Sequence, residues 1–207
     1  MKILHVAGLA LGLSFAAGLC IAAAQPVPAG GSGVPHYDAK GNLLYPADYR
    51  EWVFLSSGFD MAYKGETGPA PGSHLFLNVF VPQAAYRAFL KTGTWPDKTM
   101  LMMEHRVGKT NVSINIQGAV QTQDLEDMAV HVKDAARFKD MKGWAFFNFN
   151  PGDKTGSKFP LSAGCNECHE KNGAVDTTFV QFYPTLIPVA IAHGTFKPPP
   201  GDAPPAK

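Results

Sequence analysis

Six short runs of alternating, β-branched or aromatic residues constrain this chain more than any other feature. They are "REWVFLSS" (50–57), "HLFLNVFV" (74–81), "TMLMMEHRV" (99–107), "NVSINIQGAV" (111–120), "LEDMAVHVK" (125–133) and "WAFFNFN" (144–150). Successive side chains on a strand point to opposite faces, so runs of this kind need a sheet with at least one covered side. Gly, Asn and Asp clusters separate them, and "RVGKTN" reads as a hairpin turn. One clear helix interrupts the series: Pro82 opens "QAAYRAFLKTG", apolar residues recur at helical spacing, and Gly93 stops it. A second short helix, "DAARFKD", is expected before the last strand. Beyond Lys158, "LSAGCNECHEKNG" and "TTFVQFYPTLIPVAIAHG" read as helical pieces, the second broken by Pro184 and Pro188. The expected class is α+β: a mainly antiparallel β-sheet with a helix between strands and helices gathered in a C-terminal segment.

The ends of the chain are of a different kind. Residues 1–24 carry one Lys, an apolar run and Ala22-Ala23-Ala24 before Gln25, the plan of a cleaved signal peptide, which implies export to the periplasm. The apolar stretch is short for a membrane span, so no stable insertion is expected. Lipidation at Cys20 is disfavoured by Leu19, which stands where that signal wants a small residue. Residues 25–37 are rich in Pro, Gly and Ser and read as a flexible leader; 197–207, "KPPPGDAPPAK", reads as a Pro-rich disordered tail. One folded domain, 38–196, lies between. With 18 basic and 17 acidic residues and no block of like charge, the composition excludes nucleic acid as a natural partner.

Loss of the signal leaves two of the three cysteines, Cys165 and Cys168, in "CNECHEK". An exported chain with a single CxxC has no disulfide framework to build. A zinc site wants four ligands, and neither a second CxxC nor an HxxxH is present. A thioredoxin-like pair follows an early strand in a βαβ unit, whereas this motif comes late. CxxCH is instead the attachment pattern of c-type haem: two thiols three residues apart reach two vinyl groups on one porphyrin edge, and the next residue offers an imidazole to iron. Cys165 and Cys168 are the expected covalent attachment points of one haem c, and His169 its axial iron ligand.

The other face of the iron decides function. No methionine follows His169, so a Met ligand would come from Met61, Met100, Met102, Met103, Met128 or Met141, and a second His from His74, His105, His131 or His193. Most of these methionines lie in apolar strand patterns suited to core packing. The default is therefore an open iron that binds small ligands, with a six-coordinate electron-transfer cytochrome as an alternative. An apolar cap favours neutral diatomics such as NO and CO; a carboxylate near a bound nitrogen compound would permit proton removal. Glu104, Glu126 and Asp127 are the acids near the relevant strands.

"YPADYREWVFLSS", "HLFLNVFVPQAAYRAFLKTGTWPDKTMLMMEHRVG", "VKDAARFKDMKGWAFFNF" and "CNECHEKN" followed by "TTFVQFYPTL" together resemble the cytochrome P-460 and cytochrome c′-beta family across residues 40 to 192. The resemblance implies an antiparallel β fold, a homodimer, one c-type haem per subunit and five-coordinate iron on His169. It also implies two functional branches. P-460 enzymes oxidise hydroxylamine, carry a strand lysine bonded to the haem and pass electrons to a carrier cytochrome; c′-beta proteins lack the cross-link and bind NO and CO under aromatic residues. Matching puts Met103 at the lysine's place, and no lysine lies within 99–107. The c′-beta branch is the expectation, with hydroxylamine oxidation the alternative. On "HLFLNVFV", period two puts Phe76, Asn78 and Phe80 on one face, so Phe76, Phe80 and Met103 are the candidate distal pocket.

Overall fold

The computed structural model describes residues 33–63 and 67–201. The signal peptide, Cys20 and most of the leader, together with the end of the Pro-rich tail, lie outside the described residues. No helix among those described is long and apolar enough to cross a membrane.

Seven strands form one antiparallel sheet in the order β1-β7-β6-β5-β4-β3-β2. They are β1 (Leu43–Leu44), β2 (Val53–Phe59), β3 (His74–Val81), β4 (Met100–Thr110), β5 (Ala119–Lys133), β6 (Trp144–Phe149) and β7 (Thr155–Lys158). The chain belongs to the expected α+β class: a mainly antiparallel sheet with few helices, α1 (Gln83–Thr92), α2 (Cys165–Asn172) and α3 (Ile187–Ala192). From β2 to β6 each strand pairs with its sequence neighbour, the simplest outcome for consecutive hairpins.

Three local expectations are corrected. The turn expected at "RVGKTN" is strand: β4 runs on to Thr110 and the reversal falls at 111–118, where Asn111 and Ser113 take left-handed φ of 54° and 55°. The run 111–120 is accordingly not a separate strand; only its last two residues enter β5. "DAARFKD" forms turns and a 3-10 turn over Lys139–Met141 rather than an α-helix, closed by Lys142 at φ 54°.

The sheet has two covered faces. On the first, Phe80, Met100, Met102, Met128, Val130, Val132, Ala145, Phe147 and Phe149 pack under Leu43, Tyr49 and Trp52 from the N-terminal segment. On the second, Leu101 and Trp144 meet α1 through Ala85 and Phe89 and the C-terminal segment through Val180, Tyr183 and Leu186. Full burial of one such large apolar side chain stabilises by about 1.5–3 kcal/mol. Gly93 closes α1 at φ 70°, and a Cβ there would sit 2.6 Å from that of His193, so only glycine lets α1 and the end of α3 meet this closely. These contacts leave the second face covered at one end and hollow beside the CxxCH helix.

Candidate haem site

Cys165, Cys168 and His169 stand at i, i+3 and i+4 on α2, so the helix presents all three on one side. Gly164, at φ 77°, turns the chain from a 3-10 turn over Leu161–Ala163 into α2. The three side chains line one cavity of about 560 Å³, within the range of about 300–1,000 Å³ usual for cofactor and small-molecule sites. Both thiols are free. Burial pushes the Cys165 thiol above its ordinary pKa.

The sheet supplies the opposite wall through alternate residues of adjacent strands: Ser56 and Gly58 on β2, Leu77 and Val79 on β3, Leu101 and Met103 on β4, Ala129 and His131 on β5, Phe146 on β6. Register makes this one surface, because Gly58 pairs with Leu77, Val79 with Met103, Met103 with Ala129, Leu101 with His131, and His131 with Phe146. Phe159, Phe179, Phe182 and Tyr183 complete the wall from the C-terminal segment, and Met61 and Tyr63 from the loop after β2. No Asp, Glu, Lys or Arg is among the described residues that line it.

His169 is arranged as a metal ligand. Its Nδ1–H donates to the Thr177 carbonyl at 3.0 Å, which fixes the tautomer and leaves Nε2 with a free lone pair. The ring stacks on Phe179 at 4.0 Å between centroids and meets Phe146 edge-on at 4.6 Å. Burial lowers its pKa to about 4, against the opposing hydrogen bond to Thr177, so the imidazole is neutral at neutral pH as metal binding requires. Two thiols, a neutral imidazole with its second nitrogen committed, and an apolar cavity are a donor set that fits haem c.

The structure separates the remaining candidates. Met103 lines the cavity; Phe76 and Phe80 are not among its lining residues, whereas Leu77 and Val79 of the same strand are. Val79, not Phe80, lies opposite Met103, so period two turns Phe76 and Phe80 to the first face, where Phe80 packs edge-on against Tyr49 at 5.6 Å. Met100, Met102 and Met128 are core residues of that same face and Met141 packs beside them, leaving Met61 and Met103 as the methionines within the cavity. Among the described histidines, only His131 lines it besides His169. Their ring centroids are 5.0 Å apart. The two rings meet edge-on at 72°, so His131 stands directly beside His169 in the cavity lining. His74 pairs with Asp60, and His105 with Asp127.

Sequence reasoning also missed Phe146, Phe179, Phe182 and Thr177. Their signal is proximity to the motif or to a strand end, which becomes specific only once the register is known.

A fold of this topology with such a cavity beside a CxxCH helix defines a β-sheet haem protein. The family model Cytochrome P460 matches residues 46–180, well over half of the chain, and the chain belongs to that family. It is thus a haem protein of the P-460 and c′-beta kind. No curated protein matches the chain.

Proposed function

We propose that this protein is an exported, periplasmic, homodimeric cytochrome of the c′-beta type, which carries one haem c on Cys165 and Cys168 and binds NO or CO at an iron held from one side by His169. The observation that carries the reading is that no charged side chain is among the described residues lining the cavity. Its sheet wall presents Leu77, Val79, Leu101, Met103 and Ala129, which solvate a neutral diatomic, and among the described residues that line it there is no carboxylate to take a proton and no lysine to bond to the ring. The haem would supply the metal at which the ligand is held; the chain fixes the imidazole through Thr177 and packs Phe159, Phe179 and Phe182 around the cavity.

Hydroxylamine oxidation is the second reading, and one observation favours it. His105 and Asp127 form a hydrogen-bonded pair that shares the cavity face of the sheet, two residues along β4 and β5 from Met103 and Ala129. That pair could move a proton at the cavity edge. Met61 and Met103 are the groups that would close the iron in an electron carrier.

The deciding experiment adds CO to the dithionite-reduced protein made with haem-maturation machinery. A shifted ferrous spectrum is expected; an unchanged one means a closed iron and overturns the reading. Mass spectrometry of haem peptides should find only the peptide around Cys165 and Cys168, whereas a second peptide from β4 would establish the P-460 branch.

A further inference from the structure

The sheet ends on one side in β1 and on the other in β2. β1 is two residues long and its outer side is occupied: Tyr37 bridges Leu43, and the Leu44 N–H donates to the His36 carbonyl at 2.8 Å. β2 is a different kind of edge. Its seven residues make a border about 24 Å long at about 3.4 Å per residue, and among the described residues they pair with β3 alone. The strand reads VFLSSGF, without the charged residues or prolines that keep other strands away from a sheet edge.

A β-bulge decides what this edge shows on each face. Phe54 pairs with Phe80 and Ser56 with Val79, so Leu55 is the extra residue. Leu55 and Ser56 therefore both turn to the second face, Leu55 into the core and Ser56 into the lining of the haem cavity. Beyond the bulge, Gly58 pairs with Leu77 on the cavity face, while Ser57 pairs with Asn78 and Phe59 with Phe76 on the first face, beside Phe54. Phe54 and Phe59 are 54% and 49% exposed, one near each end of the strand. Ser56, Ser57 and Gly58 all line the haem cavity, so the open edge of the sheet is also a border of the site.

We propose that β2 is the interface of the homodimer, pairing antiparallel with β2 of a second copy about a two-fold axis at Ser57. The inference rests on the homodimer of the proposed function and names its surface. A two-fold contact needs a patch that complements itself, and an uncharged strand lies against its own copy with no like charges opposed. With Leu55 as the extra residue on both strands, Ser57 stands opposite the partner's Ser57, Ser56 opposite the partner's Gly58, and Phe54 opposite the partner's Phe59. Each pair joins residues of one face, as antiparallel pairing requires, and the two half-exposed rings cover each other on both sides of the axis. The other uncovered stretch fails this test. β6 pairs with β5 only from Met128 to Lys133, and the rest of β5 carries Asp124, Glu126 and Asp127, which would set carboxylates against carboxylates. In the β2 dimer the wall row of Ser56, Val79, Met103 and Ala129 runs on into the partner's Gly58, so the two haem cavities adjoin across the axis.

Light scattering on the haem-loaded protein should give twice the chain mass. Phe54→Glu combined with Phe59→Glu opposes like charges at two places and should halve that mass. Phe54→Lys combined with Phe59→Glu opposes unlike charges at the same two places and should restore the dimer. Ser57→Cys should give a disulfide-linked dimer on a non-reducing gel after mild oxidation. Directly opposed residues of an antiparallel pair have Cα atoms about 4.5–5.5 Å apart, within the range of about 4.4–6.8 Å that a disulfide spans. That variant alters one small, exposed side chain and serves if the charged ones do not accumulate. An undiminished dimer with glutamate at both positions, or no cross-link through Ser57→Cys, overturns the proposal and moves the interface elsewhere, for instance to Ile114 and Ile116 on the exposed hairpin tip. A monomeric unmodified protein overturns the homodimer as well, while CO binding tests the iron independently of either.

Discussion

The two faces of the sheet solve opposite problems with alternate residues of the same strands. On β4, Met100, Met102 and Glu104 point to the first face and Leu101 and Met103 to the second. The first face buries a carboxylate completely and satisfies it: Glu104 accepts from Tyr49 at 2.8 Å, Asn78 at 2.8 Å, Arg50 at 2.7 Å and Arg106 at 3.0 Å. On the second face no charged side chain is among the described residues that line the cavity. A buried charge with every lone pair committed fixes structure. A cavity with apolar walls and uncommitted donors is where other molecules are held. The difference separates the residues of stability from those of function within a single strand.

Removing the second face's chemistry should have the largest effect. Cys165→Ala combined with Cys168→Ala is expected to abolish denaturation-resistant haem staining altogether. His169→Ala is expected to keep the haem attached while changing the ferrous spectrum; an unchanged spectrum would place the iron on another ligand.

Next in size is the first face. Glu104→Gln leaves Arg106 buried beside a neutral amide and should destabilise by about 3–5 kcal/mol in urea unfolding, the usual cost of breaking a buried pair from one side. CO binding by the folded fraction should be unchanged, and altered binding would break the separation of the faces. Burial alone pushes Glu104 up, but hydrogen bonds from Arg106, Asn78 and Tyr49 and the charge of Arg50 outweigh it and hold its pKa below the ordinary value. Its stabilising effect is therefore complete above the unfolded pKa of about 4.3 and is lost as pH falls through the lower folded value. The gap between wild type and Glu104→Gln should narrow only below about pH 4.

The third variant sharpens the boundary. Val79→Phe puts extra volume into the cavity wall opposite Met103 and should weaken CO binding by about tenfold or more, the scale on which a small change of shape acts in an apolar pocket. An unchanged CO affinity would move the ligand site away from β3.

The sequence made the strands, α1 and the three residues of CxxCH legible because each depends on local pattern: period two, a Pro and Gly pair, a fixed spacing. The side of β3 that meets the cavity was not legible. Phe76, Asn78 and Phe80 do share a face, but which face depends on pairing with β4, and register is a long-range property that a one-residue slip inverts. The turn at 111–118 was missed for a related reason. Val112, Ile114 and Ile116 alternate like a strand, yet Ile114 and Ile116 are 95% and 90% exposed on the hairpin tip. Alternation reports a strand only when something covers the apolar side.

Phe76→Ala should have the smallest effect and tests the comparison where sequence and structure part. Phe76 is half-buried on the first face near the end of the sheet, against Phe59 at 4.9 Å, with Phe59 in turn stacked on His74 at 5.2 Å. An aromatic pair of this kind adds about 0.5–1.5 kcal/mol beyond its buried area, and partial exposure reduces the area lost. A stability loss of about 1–2 kcal/mol is expected, below the about 3–5 kcal/mol typical of a fully buried Phe. The measurement that matters is CO affinity beside that of Val79→Phe. If the faces are divided as β3 and β4 pair them, Phe76→Ala binds CO like the unmodified protein although it removes far more volume than Val79→Phe adds. A Phe76 effect on CO as large as the Val79 effect would mean that the loaded protein pairs these strands in the other register, with Phe76 and Phe80 over the iron.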